Sequence, residues 1–277
     1  VLPELQTEIE EALMQIASSE LLRGICVRMK VLVGNPATLL MQLAQVQRMD
    51  LIVMRSHGAT GFTRFVLGSV ARQVARQSLV PVLVIRDGSS LIQPDSFMHP
   101  PRILVALDGA SLAETALLPA AQLCAALAAP ARGAIHLIRT VHRLSTVDDE
   151  PAERVDVMNE EAMAEAESYL RRIEQRFQKG DLASFHLTIT TSVVTHDDAG
   201  DIWKRVIEEC ECIGDVIGYS ACDIIAMTTH GRQGFQHLLE GSITERVLDA
   251  TTHPLLVVHA HAAESKAAVA TQSSHAQ

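Results

Sequence analysis

Residues 56–86 read SHGATGFTRFVLGSVARQVARQSLVPVLVIR, and residues 229–259 read THGRQGFQHLLEGSITERVLDATTHPLLVVH. The two stretches align without a gap at an offset of 173. Identical pairs include His57/His230, Gly58/Gly231, Gly61/Gly234, Phe62/Phe235, Gly68/Gly241, Ser69/Ser242 and Pro81/Pro254. The polar residues between them drift. A repeat that keeps its glycines and one serine keeps a backbone shape. Here the shape is a Gly-rich loop feeding a helix, a geometry suited to phosphate.

Working outward, each loop follows a short apolar strand, DLIVM at 50–54 and DIIAM at 223–227. Each loop then leads through a helix, 69–78 or 242–250, into a closing strand, 81–86 or 254–259. Upstream in the second half, strands are predicted at 102–107, 133–141 and 184–194. Helices are predicted at 112–128, with Ser111 as cap, at 153–178 and at 199–213. That half therefore reads as alternating strands and helices, which implies a parallel sheet covered on both faces. The first half is shorter. It reads as a helix over 3–22 with Leu5, Ile9, Leu13 and Ile16 on one face, a strand over 25–33 and a helix over 37–48 begun at Pro36. It has no counterpart of the second half's opening strand, helix and second strand. The expected organisation is a partial domain over 1–86, a Ser/Pro/Gly-rich linker over 87–101, a complete domain over 102–260 and a disordered tail over 261–277.

The bulk numbers agree. A chain of 277 residues suits two domains of roughly 100–150 residues. With 48% hydrophobic but only 3% aromatic residues, the core is built from Ala, Val, Leu and Ile, as in buried parallel strands under Ala-rich helices. Scarce aromatics also exclude stacking platforms for single-stranded nucleic acid. The net charge of −10 is uneven: the first 86 residues carry 9 Lys and Arg against 6 Asp and Glu, leaving −13 in the remainder. An acidic bulk disfavours nucleic acid and anionic membrane as partners. Arg55, Arg64, Arg72 and Arg76, around the first loop, read as solvated helix faces more than as a functional cluster. No apolar run reaches the length of a membrane span, and no secretory signal is visible. The five cysteines are read as reduced thiols, which fits a cytoplasmic location.

The loops share the spacing G-x9-G-S, from Gly58 to Gly68-Ser69 and from Gly231 to Gly241-Ser242. Together with Asp108 after the first strand of the second half and a Pro-x-L-x-V ending in each half, this resembles the universal stress protein family in its tandem form. The resemblance implies two Rossmann-like, adenine nucleotide alpha hydrolase-like domains with parallel five-stranded sheets, the first lacking its opening strand-helix-strand. It implies binding of ATP, AMP or ADP, with Mg2+, at the pattern G-x2-G-x9-G-[ST]. The nucleotide-binding residues it implies are Ala106, Leu107, Asp108, Thr140, Met227, Thr228, Gly231, Gly241, Ser242, Ile243 and Thr244. Glycines let the chain approach the phosphates closely, and the helix start, Ser242 and Thr244 supply donors. Asp108 would face the adenine or ribose side, and Thr140 and Met227 would frame adenine. Gly58, Gly68 and Ser69 form a weaker phosphate loop in the first half. The pattern's first glycine is replaced by Arg55 in one half and Thr228 in the other. The resemblance also implies that the closing strands meet antiparallel, between two chains in a homodimer or between the two halves of one chain.

Other chemistry has less behind it. His57 and His230 read as turn-stabilising residues rather than as bases. Cys210, Cys212 and Cys222 have the spacing C-x-C-x9-C, which is not a zinc pattern. Glu160, Glu161, Glu165 and Glu167 read as a solvated helix face. No catalytic residue is assigned: Ser111 and Ser242 have no triad partners in sequence, and there is no Walker lysine. Hydrolysis of ATP, if any, is expected to be slow. The alternative reading is a dimerisation scaffold with a vestigial site.

Overall fold

A computed structural model describes residues 2–56, 67–86, 100–145, 152–212, 221–229 and 243–260. The expected linker lies almost wholly outside these residues, as do the expected tail and most of both Gly-rich loops.

The first half supplies α1 (Leu2–Ala17), α2 (Pro36–Val46), β1 (Ile52–Arg55), α3 (Ser69–Gln77) and β2 (Val82–Ile85). Helix α2 starts where the sequence places it. Pro36 occupies the first turn, and the Asn35 side chain accepts the Thr38 N–H at 3.1 Å. Strands β1 and β2 pair in parallel from Ile52↔Val82 to Arg55↔Ile85. A parallel pair needs a crossover, and α3 is part of it.

The second half supplies β3 (Arg102–Leu107), α4 (Leu117–Ala128), β4 (Ala134–His142), α5 (Ala152–Lys179), β5 (Thr188–His196), α6 (Ile202–Cys212), β6 (Ile224–Thr229), α7 (Ile243–Ala250) and β7 (Leu255–His259). Its five strands are parallel, in the order β7-β6-β3-β4-β5. Strand β2 joins the outer edge of β7 in antiparallel register, so both halves share one seven-stranded sheet. One face of that sheet packs Leu117, Ala121, Leu170 and Ile173 of α4 and α5. The other packs Val74, Val206 and Val247 of α3, α6 and α7. Both faces of the inner strands are therefore dry, which is why those strands read as nearly continuous apolar runs. Among the described residues, no helix is long and apolar enough to cross a membrane.

Two expectations are corrected. Residues 25–33 form no strand, despite their alternation. The corresponding strand of the second half, β5, pairs with β4 alone, and the first half has no strand equivalent to β4 among the described residues. Alternation cannot make a strand where there is no partner to hydrogen-bond. The same gap strips cover from β1: Val53 is 55% exposed, whereas its repeat equivalent Ala226, paired to β3, is 0% exposed. Nor are the described α1 side chains buried, because the strands that α5 packs against have no counterpart here. Ser111 does not cap α4. A 3-10 turn over Ala113–Ala116 intervenes, and α4 begins after Ala116 with no side-chain cap.

Candidate functional site

In an open parallel sheet, the ligand crevice lies beyond the carboxyl ends of two strands whose connections leave in opposite directions. Here those strands are β3 and β6, paired through Ile103↔Ile224, Leu104↔Ile225 and Val105↔Ala226. Their lower ends are pinned as well: the buried Asp223 carboxylate accepts the Arg102 N–H at 2.8 Å. Chain exits from β3 and β6 therefore stand side by side.

At the β3 exit, Leu107 is buried in the core and Asp108 is exposed. One Asp108 oxygen accepts the Ala110 N–H at 2.8 Å, which closes a tight turn. Gly109 makes that turn with φ of +92°, a conformation that suits glycine. A Cβ on Gly109 would lie 3.0 Å from the Arg139 guanidinium. Sequence reasoning missed Arg139. It lies on β4 opposite Leu107, packs 5.1 Å over the Tyr169 ring and donates to Glu165 at 3.1 Å. Burial raises the Tyr169 phenol above its ordinary range, helped by the charges of Glu114 and Asp108. The β3 turn is thus backed by a fixed cation and a neutral phenol.

Thr140 follows on β4, half-buried, opposite Val194. At the β6 exit Met227 and Thr228 are both buried. Thr244, in the first turn of α7, is also buried, and its hydroxyl donates to the Thr228 carbonyl at 2.7 Å. In this structure the Thr244 hydroxyl ties α7 to β6, and a phosphate contact through its proton would require breaking that tie. Ala106 is half-buried beside the α6 and α7 core, and Ile243 opens α7 partly exposed. Gly231, Gly241 and Ser242 lie outside the described residues, as does Gly58. The structure therefore brings together Ala106 to Asp108, Thr140, Met227, Thr228 and the start of α7.

In the first half, the Gly68 N–H donates to the Ser56 carbonyl at 2.8 Å, and a Cβ on Gly68 would come within 3.0 Å of that oxygen. This glycine allows the loop to close against β1. Ser69 is exposed at the start of α3. No strand equivalent to β3 stands beside β1 among the described residues, so the other wall of a crevice is missing there.

Two further groups bear on chemistry. A cavity of about 410 Å³ lies away from the β3–β6 crevice, lined by His142, Asn159, Met163 and Thr195 among others. Ser192, His136 and Glu209 meet on β4, β5 and α6, a contact with no signature in the linear sequence. Ser192 Oγ lies 2.7 Å from His136 Nε2 and donates to Glu209 at 2.6 Å, while Thr190 lies 2.7 Å from His136 Nδ1. The serine proton is committed to the carboxylate, so His136 does not activate it as a nucleophile. The group clasps α6 onto the sheet. Cys210 and Cys124 are likewise structural. Burial pushes the Cys124 thiol up to about 12, and the Cys210 thiol, bonded to the Cys222 carbonyl at 3.5 Å, is raised by its contact with Cys222 and by burial.

A family model described as the universal stress protein family matches residues 2–86 and 100–259. A universal stress protein of Methanocaldococcus jannaschii is 37% identical over 82 residues, which cover 30% of this chain and 48% of that protein. One from Mycobacterium tuberculosis is 23% identical over 237 residues, covering 85% of this chain and 70% of the relative. Among solved structures, a universal stress protein from Archaeoglobus fulgidus superposes with a TM-score of 0.58 at 20% identity, covering 93% of this chain and 80% of that one.

Proposed function

This chain belongs to the universal stress protein family, and we propose that its second half binds an adenine nucleotide as a regulatory module in the cytoplasm. The observation that carries the proposal is the juxtaposition of the β3 and β6 exits. It sets the exposed carboxylate of Asp108 beside the strand end that leads, through the Gly-rich segment, into α7. The residues fit such a ligand. Asp108 offers a carboxylate to ribose hydroxyls, and Met227 with Thr140 offers a partly apolar seat for a purine. The Gly109 turn, with φ of +92°, strains any larger residue at the crevice rim. Gly231, Gly241 and Ser242 would hold the phosphates, and Mg2+ would arrive with the nucleotide and offset its phosphate charge. Among the described residues of the crevice there is no lysine, and on this reading the site serves to bind nucleotide.

A thermal-shift titration with ATP and Mg2+, with ADP, AMP and GTP alongside, tests this. A ligand that binds only the native state raises Tm as its concentration passes its Kd. A saturable, adenine-selective rise supports the proposal, and no rise at millimolar nucleotide refutes it.

A second reading, a scaffold, draws on the antiparallel β2–β7 pairing within one chain. On that reading the join itself is the function, and melting is indifferent to nucleotide. The apolar β1 edge and α1 face would then be covered by a second copy of the chain.

A further inference from the structure

The join between the halves is nearly self-symmetric. Applying the repeat offset of 173, Leu83 is equivalent to Leu256, and these two face each other across the β2–β7 pair. Val82, equivalent to Leu255, faces Val257, and Val84, equivalent to Val257, faces Leu255. Behind the strands, Val74 and Ala75 of α3 correspond to Val247 and Leu248 of α7, and all four are buried in one cluster. Backbone pairing and apolar packing of this kind are isologous. They would serve equally well for two first halves or two second halves.

The charges break this symmetry. Arg72 is equivalent to Glu245, and Arg76 to Asp249. Across the join, Arg72 grips Asp249 through two hydrogen bonds of 3.1 and 2.6 Å, and Arg76 meets Glu245 at 2.9 Å. Every basic position on α3 thus meets the acidic equivalent of its neighbour on α7. Two second halves joined the same way would set Glu245 against Asp249 at both places, carboxylate on carboxylate. Two first halves would set Arg72 against Arg76. The Arg72–Asp249 pair lies near the buried Arg86, whose guanidinium is lowered in pKa by burial and by Arg72 and held up by Asp249.

We propose that these four residues are a pairing code: the β7 edge and α7 accept a basic-helix copy of themselves, which the chain carries as its own first half, and reject a second acidic copy. Attraction in the intended pair and like-charge repulsion in the others together set specificity that the apolar strands cannot. Arg72 and Arg76, read from sequence as solvated, are then the residues that select which halves pair.

The test is a charge-swap cycle in the full chain, made on Arg76 and Glu245 because Asp249 also faces Arg86. Backbone hydrogen exchange of Leu83, Val84, Leu256 and Val257 reports opening of the join, and sedimentation velocity reports self-association. Arg76→Glu alone and Glu245→Arg alone should each speed that exchange roughly fivefold and promote association through the released edges. Arg76→Glu combined with Glu245→Arg should recover at least half of the loss on a logarithmic scale. Recovery below half, or single variants that exchange like the parent, overturns the proposal. If either single variant fails to fold, the combined variant decides: parent-like exchange supports the code, and continued failure refutes it.

Discussion

Thr244→Val separates a structural hydroxyl from a ligand-binding one. Valine replaces the hydroxyl by a methyl of similar size, so the buried packing around residue 244 is kept. What is lost is the 2.7 Å bond to the Thr228 carbonyl, in a setting where both residues are buried. Removing one partner of a buried neutral hydrogen bond costs about 1–2 kcal/mol. For a protein of this size that corresponds to a fall in Tm of about 2–4 °C. Thr244→Ser keeps the hydroxyl and should melt within about 2 °C of the parent, since only a methyl is removed. Differential scanning fluorimetry, with and without saturating ATP, reads both effects. The expected result is a destabilised Thr244→Val protein whose ATP affinity changes by less than about threefold, because the lost proton was bonded to the fold. Parent-like melting combined with a large loss of affinity would refute the reasoning, by showing that the hydroxyl serves the ligand.

Gly109→Ala meets two obstacles, the left-handed φ of +92° and the Arg139 guanidinium 3.0 Å from the new Cβ. It should cost about 1–3 kcal/mol by urea denaturation and weaken ATP binding. Gly133→Ala places a Cβ 2.5 Å from the buried Cys124 sulfur, so it should destabilise by at least about 1–3 kcal/mol, and Cys124→Ala in the same chain should relieve part of that loss. Burial holds both His196 and His253 below the usual histidine value of 6.5, against the pull of the Asp198 carbonyl in one case and Glu211 in the other. The unfolded chain then binds more protons below that value, so stability should decline as pH falls from 6.5, and Glu209, held low chiefly by His136, should add a further loss below its ordinary 4.5. Urea midpoints measured between about pH 5 and pH 7 check the first step, and a flat profile there contradicts it.

Much of this architecture was legible because the information is local. The duplicated loop-helix-strand units, the DIIAM-type strands and the Asn35-Pro36 helix start each declare themselves within a few residues. What was illegible depends on partners distant in sequence. Residues 25–33 alternate well enough for a strand, but a strand needs a neighbour, and that neighbour belongs to a part of the fold the first half does not repeat. Ser111 looked like a cap because no local rule announces the 3-10 turn that delays α4. Arg72 and Arg76 looked solvated because their partners lie 177 and 169 residues away. The charge inversion at the repeat offset was present in the sequence, and comparing charges between the copies, rather than identities, would have found it. At the candidate site, Asp108, Thr140, Met227 and Thr228 were placed through the resemblance. Arg139 was missed, since nothing in RTV around it distinguishes a guanidinium packed over a glycine turn from a solvated one.

The central claim is that the β3–β6 crevice holds an adenine nucleotide by its Gly-rich segment. Equilibrium titration of ATP with Mg2+, followed by calorimetry on the full chain and on the Gly241→Val, Ser242→Ala variant, tests it most directly. The account predicts saturable binding to the parent and at least about tenfold weaker binding to the variant, both measured at a temperature where each protein is folded. Equal affinity in the two proteins, or no heat from the parent at millimolar ATP, would contradict it.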